Sequence, residues 1–250
     1  MKSIVKGVVL AGVVTFMTAG SAMAITVDGV FDTTEWDGHY AAGNNVISRG
    51  GGQYFDIEHL GMTQSVQDNM LYFGLQTGFN LADDVYWASH NYTYKRGDLA
   101  LDIENDGIYD FAIQFSIDKS TSDVTYTLVG NPVWQSTQMS SVQQYADPWR
   151  ASAGTVLATW TQADAYSSGN MGGDWGGVTT SYVIEGGINL DLLGGPLAQG
   201  SYAALHWTME CGNDYLNHVE SVPEPATMFL LGTGLIGLAG ISRRKFNNQA

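Results

Sequence analysis

The segment Asp110-Phe111-Ala112-Ile113-Gln114-Phe115-Ser116-Ile117 puts Phe111, Ile113, Phe115 and Ile117 on one face and their neighbours on the other. A two-residue period of this kind fits a half-buried strand and does not fit a helix. Leu205, Trp207 and Met209 repeat the pattern near the end of the chain. Between Ile25 and Ser221 no long stretch carries a helical period, and glycine, 31 residues of 250, recurs throughout. The β-rich segments are 25–30, 54–60, 71–76, 98–103, 109–117, 124–129, 155–160, 181–188 and 203–209. One short helix fits at 139–145 or at 190–193. Short strands joined by Gly/Asn/Asp turns predict an all-β fold, an antiparallel β-sandwich of jelly-roll type, and not a βα alternation. The apolar share, 44%, is ample for one core of that size.

Both ends read as addresses. Lys2 and Lys6 open the chain, Gly7 to Thr18 is a short uncharged and mostly apolar run, and Ala22-Met23-Ala24 supplies a small-x-small cleavage pattern. This predicts a signal peptide over 1–24, cut after Ala24, with an uncleaved anchor as the alternative. At the other end Pro223-Glu224-Pro225 precedes a charge-free run over 226–242, followed by Arg243, Arg244 and Lys245. The run is at the lower edge of a single transmembrane helix, and the basic stop should stay on the cytoplasmic side. The expected organisation is therefore a signal peptide at 1–24, an exported sandwich at 25–221 and a terminal signal at 222–250. In this order, the Pro-Glu-Pro triplet, the glycine-dotted helix and the basic end resemble the PEP-CTERM sorting signal. That resemblance implies handling by an exosortase, a membrane cysteine transpeptidase of bacteria that make extracellular polysaccharide. It also makes Pro223, Glu224 and Pro225 recognition residues, and the helix a transient inner-membrane anchor before release to the cell surface or beyond. A plain membrane anchor is the alternative.

Charge narrows the partners. Residues 25–222 hold 24 acids and five bases (Arg49, Lys95, Arg96, Lys119, Arg150), a net −19. So acidic a body repels phosphate backbones, which excludes nucleic acid. Divalent cations and sugars stay open, the sugars including the exopolysaccharide implied by the sorting signal. Cys211 is the single cysteine, so no internal disulfide can form, and a small buried thiol is the expectation.

Within the body, Ile25-Thr26-Val27-Asp28-Gly29-Val30-Phe31-Asp32 with Glu35-Trp36, then 68–75 and 97–102, are similar to the strands of DOMON-type and family 9 carbohydrate-binding-module-like sandwiches. The likeness implies a sandwich and transfers no ligand residues. Oxygen side chains at Asp102, Glu104, Asp106 and Asp110 surround Gly107, an arrangement suited to calcium. The twelfth place of an EF-hand-like loop is Ile113, however, and a turn at 105–107 with its acids in water is the alternative. Trp175, flanked by glycines, is a candidate sugar-stacking platform, against the ordinary core role of a large aromatic. His39, His59, His90, His206 and His218 show no metal-ligand spacing. No nucleophile elbow, phosphate loop or dinucleotide fingerprint is present, and 24 acids nominate no particular glycosidase pair. The leading expectation is a non-enzymatic structural or adhesive surface protein; a carbohydrate-binding module comes second and a secreted hydrolase a distant third. Intact-mass measurement on the exported protein should place its first residue at Ile25, whereas a chain still starting at Met1 would establish the uncleaved anchor.

Overall fold

A computed structural model describes residues 25–36, 38–43, 52–138, 146–170, 180–198 and 201–221. The described residues are all-β apart from two single-turn 3₁₀ segments, Gly52–Phe55 and Leu190–Leu193. One antiparallel sheet has five strands in the order β1 (Tyr40–Ala42), β2 (Ile57–Ser65), β3 (Met70–Thr77), β11 (Thr180–Asn189), β10 (Tyr166–Asn170). The other has six, in the order β13 (Tyr215–Ser221), β12 (Tyr202–Thr208), β6 (Leu99–Asp102), β7 (Phe111–Asp118), β8 (Asp123–Gln135), β9 (Arg150–Gln162). A small ribbon pairs β4 (Val85–Trp87) with β5 (Tyr92–Tyr94).

The inner faces follow the predicted alternation. Ile113 and Phe115 of β7, Tyr126 and Leu128 of β8 and Leu205 and Trp207 of β12 enter one core with Leu60, Phe73, Leu75 and Ile184 of the five-stranded sheet. Two sheets sharing one buried cluster is the sandwich the sequence predicts. Its middle is pinned by a polar contact: the Tyr126 hydroxyl donates to the Glu185 carbonyl of the facing sheet at 2.6 Å. The Phe73 and Tyr126 rings meet edge to face at 5.1 Å.

The outer face of the five-stranded sheet is covered by residues 25–36, which were expected to open with a strand. Asp28-Gly29 turns the chain instead, with Val30 N donating to Asp28 Oδ1 at 2.9 Å and Gly29 at φ 75°. Ile25, Phe31 and Trp36 then pack with Val183 as a second buried cluster. Trp36 is fully buried because Gly61 and Gly74, cross-strand partners on β2 and β3, leave a slot beneath it. A Cβ at Gly61 would lie 2.6 Å from the indole, and one at Gly74 2.9 Å. The indole N–H donates to Glu185 Oε1 at 3.1 Å, which satisfies the one polar atom that this burial would otherwise orphan.

Seven of the nine expected strands are present near their expected places, two of them much longer than expected. β8 and β9 each run for 13 residues. The segment at 54–60 divides between a 3₁₀ turn and β2, and 190–193 is 3₁₀ with Asn189 as its N-cap. The alternative helix at 139–145 lies outside the described residues. No helix among the described residues is long and apolar enough to cross a membrane. The terminal run at 226–242 lies outside them.

Trp36→Ala should destabilise the protein by about 3–5 kcal/mol, because it empties a closed slot. Gly74→Val, which fills the slot from the sheet side, should cost about 1–3 kcal/mol. Chemical denaturation measures both, and a Trp36→Ala protein as stable as the parent would show that the covering segment is not structural.

Candidate functional site

β8 and β9 do not stay flat. Register shifts between Leu128 and Val129, and again over Gly130–Trp134, bend the long hairpin. Its far end folds back onto the outer face of the six-stranded sheet. There Ala112, Val129 and Ala151 form a small buried cluster with Trp134 packed against it, and the Trp134 indole donates to Tyr109 O at 3.2 Å. Asp98 receives the returning strand. Its backbone N–H donates to Trp149 O at 2.8 Å, and its Oδ2 accepts from Ala151 N at 2.9 Å and from Gln114 Nε2 at 3.2 Å. The buried His206 beneath the fold-back lies 2.6 Å from Asn217 Oδ1 through Nδ1 and 3.0 Å from Pro148 O through Nε2.

Beside this fold-back lies an open polar groove of about 480 Å³. Lys95, Arg96 and Arg150 line it with the carboxylates of Asp84 and Asp98, together with Gln114, Phe115 and Ser116 of β7 and Thr125 and Thr127 of β8. The two threonines are linked to β9 by hydroxyl contacts, Thr125 with Thr161 at 2.9 Å and Thr127 with Thr159 at 3.2 Å. Arg96 is fixed: its guanidinium donates to Phe115 O at 2.9 Å and stands 5.1 Å from the centre of the Phe115 ring. Burial lowers its pKa most, and the like charge of Arg150 adds to the effect, while Asp84 and Asp98 oppose it. The Asp98 carboxyl is raised by burial, against its hydrogen bonds from Ala151 and Gln114. A second recess of about 460 Å³ shares Lys95, Gln114 and Arg150 and adds Gln135, Trp149, Ser152 and Glu210.

Three of the four candidate calcium ligands are turn-formers. Asp102 Oδ1 accepts from Glu104 N at 3.1 Å and Asp106 N at 3.3 Å, and Oδ2 accepts from Gly107 N at 2.8 Å. Asp110 Oδ2 accepts from Ile103 N at 3.0 Å and Asp106 Oδ1 from Ile108 N at 2.9 Å. Asn105 and Gly107 have φ of 53° and 87°, as the turn reading requires. Glu104 and Asp106 face water. No group of three or more His, Cys, Asp or Glu side chains able to hold a metal occurs among the described residues. Asp102, Glu104, Asp106 and Asp110 do not come together as such a group in this structure. Asp102, Asp106 and Asp110 satisfy backbone N–H groups of the β6–β7 connection, as the turn alternative has it.

Ala22, Ala24, Trp175, Pro223, Glu224, Pro225, Arg243, Arg244 and Lys245 lie outside the described residues. Among the described tryptophans Trp36, Trp149 and Trp207 are buried and Trp87, Trp134 and Trp160 half-buried. Cys211 is buried, and its thiol is pushed up to about 12 by that burial, which leaves it protonated and inert. The groove was absent from the sequence expectations. The one signal for it was the adjacent pair Lys95-Arg96 in a body with only five bases.

Against known families, residues 221–245 match the model of the PEP-CTERM protein-sorting motif. The chain carries a PEP-CTERM sorting signal. The match contains Pro223, Glu224 and Pro225 and runs to Lys245, and it marks an exported protein targeted by an exosortase. No curated protein and no solved structure matches the chain.

Two buried carboxyls outside the groove stand far above the ordinary range. Glu185 is raised to about 7 by burial, against hydrogen bonds from Trp36, Asp28 and Gly29. Asp214 is raised to about 7 by burial, against the N–H groups of Ile57 and Tyr215. Each binds its proton more tightly in the folded than in the unfolded state. Each therefore contributes stability that is complete below the ordinary carboxylate range and is lost as pH rises toward about 7. His206, lowered chiefly by burial, acts in the opposite sense below the ordinary imidazole range. Substitution separates them: the fall in melting temperature from pH 5 to pH 8 should shrink in Glu185→Gln and in Asp214→Asn relative to the parent. An unchanged difference in both variants would refute the assignment.

Proposed function

We propose that this protein is an exported, non-enzymatic β-sandwich, handed by an exosortase to the cell surface or extracellular matrix, where its task is structural or adhesive. The PEP-CTERM match over residues 221–245 carries this reading. It begins on Ser221, the last residue of β13, so a cut beyond that point leaves every strand of the two sheets in place. The net −19 of residues 25–222 supports a soluble, hydrated exterior. The inert Cys211 and the commitment of Glu185 and Asp214 to backbone N–H groups favour a non-catalytic body over a hydrolase. A second reading, a carbohydrate-binding module for exopolysaccharide, is favoured by the polar groove on the six-stranded sheet.

The sorting reading has a direct test. A chain lacking Pro223–Pro225 should accumulate at full tail length in the inner-membrane fraction, while the parent is recovered shortened at the surface or in the medium. The same result is expected in an exosortase-deficient strain carrying the parent chain. Normal shortening of the deletion variant would overturn the reading.

A further inference from the structure

The distribution of cations is the unexplained feature of the body. Four lysine and arginine side chains fall among the described residues, and three of them, Lys95, Arg96 and Arg150, line one groove. The fourth, Lys119, is ion-paired with Asp83 at 2.9 Å. None of the three makes a carboxylate ion pair within 4 Å among the described residues, although acids outnumber bases by 24 to five over residues 25–222. Two carboxylates share the lining: Asp84, exposed and beyond ion-pair distance of the three, and Asp98, buried and already accepting from Ala151 N and Gln114 Nε2. With two carboxylates against three cations the groove keeps a net positive charge within an acidic body. Arg96 is half-buried and has Arg150 as a like-charged neighbour, while Lys95 and Arg150 are exposed, and an anionic ligand is the group that complements this lining.

The rest of the groove narrows the ligand. Its lining is almost wholly polar: the Thr125, Thr127 and Ser116 hydroxyls and the Gln114 amide lie on the sheet between the charged groups. Hydroxyls and amides both donate and accept, which suits a polyol and gives no purchase to an apolar side chain. The guanidinium of Arg96 is held in place by Phe115 and keeps most of its donors for a planar carboxylate. The adjoining recess shares Lys95, Gln114 and Arg150 and adds Glu210, whose carboxylate is engaged by Tyr92, Gln138 and the Lys95 N–H, so the polar surface continues beyond the groove. We propose that this groove binds an acidic saccharide, a chain of carboxylate-bearing sugars, with Lys95, Arg96 and Arg150 meeting the carboxylates and Gln114, Thr125 and Thr127 meeting the hydroxyls.

The proposal deepens the second reading above, and it rests on surface display only for where the saccharide is met. Binding by the purified chain is independent of sorting, so a failed titration leaves the sorting reading intact and a failed sorting test leaves the groove intact. The experiment is calorimetric titration of the full chain in detergent micelles with oligogalacturonate. Neutral dextran oligomers, polyglutamate and inorganic phosphate are titrated in parallel. Oligogalacturonate should bind with an affinity that falls as salt is raised, and the three comparators should bind at least about tenfold more weakly. Lys95→Gln and Arg150→Gln should each weaken binding about tenfold at unchanged melting temperature. Arg150→Lys should restore part of the loss, and Lys119→Gln should bind like the parent. Lys95 is exposed and its side chain makes no hydrogen bond among the described residues, so its variant carries the test if Arg150→Gln unfolds. Equal binding of dextran would overturn the role of charge. Equal binding of polyglutamate or phosphate would overturn the saccharide class. Undiminished binding by the Lys95 and Arg150 variants would overturn the site.

Discussion

Residues 185 and 186 of β11 are where the two layers and their cover are joined. The Glu185 carbonyl takes the Tyr126 hydroxyl from the opposite sheet. On the other side of the same strand the Glu185 carboxyl takes the Trp36 indole and the Gly29 N–H of the covering segment. Gly186 leaves room for the Phe73 and Tyr126 rings, which a Cβ there would approach to 2.6 and 2.9 Å. A carboxyl at the centre of a sheet is a poor choice unless something hydrogen-bonds to it. Here three donors do, and burial raises its pKa to about 7. The same residue thus holds a tryptophan on one face and a tyrosine on the other. The five-stranded sheet is closed on both sides only because this one strand position is satisfied twice.

The six-stranded sheet solves its exposed face differently. Among the described residues no N-terminal segment covers it, and its own longest hairpin bends at a run of bulges and returns over β6 and β7. The return covers Ala112 and His206, brings Arg150 beside Arg96, and leaves the β7–β8 surface uncovered alongside it. The groove is therefore a by-product of partial coverage, bounded by a strand that was long enough to fold back and too short to cover the whole sheet.

Legibility in the sequence followed the reach of the interaction. Alternation is local, and strands such as β7, β11 and β12 were read within a residue or two because each has one apolar face and one polar face. The 13-residue span of β8 and β9 was not legible. Their far halves pack on the outer side of the sheet, so residues 131–135 and 150–153 lack a clean period. Ile25–Val30 looks like a strand by composition, but Asp28 and Gly29 cap a turn and its apolar residues cover a sheet without joining one. The acidic run at 102–110 is readable as a turn from Asn105-Asp106-Gly107, and the carboxylates of Asp102, Asp106 and Asp110 accept backbone N–H groups of that turn, which a ligand-spacing argument does not register. The groove depends on three bases brought together from positions 95, 96 and 150, and only the fold makes them neighbours. By contrast the sorting signal is a linear feature, and it was readable whole.

The end of β13 sets a boundary of its own. Glu220 receives His39 at 2.7 Å and lies 3.2 Å from His218. Burial pulls its pKa up, but those two contacts outweigh burial and hold the carboxyl below the ordinary range. His39 belongs to the start of the folded body and Glu220 to its last strand, so this contact is where the two ends of the sandwich meet. The next residue is the first of the sorting match. Trimming from the C-terminus can therefore proceed as far as Val222 without shortening β13, whereas the next cuts would take Ser221 from its pairing with Tyr202 and then Glu220 from its contact with His39. The margin between a finished protein and a frayed one is a single peptide bond.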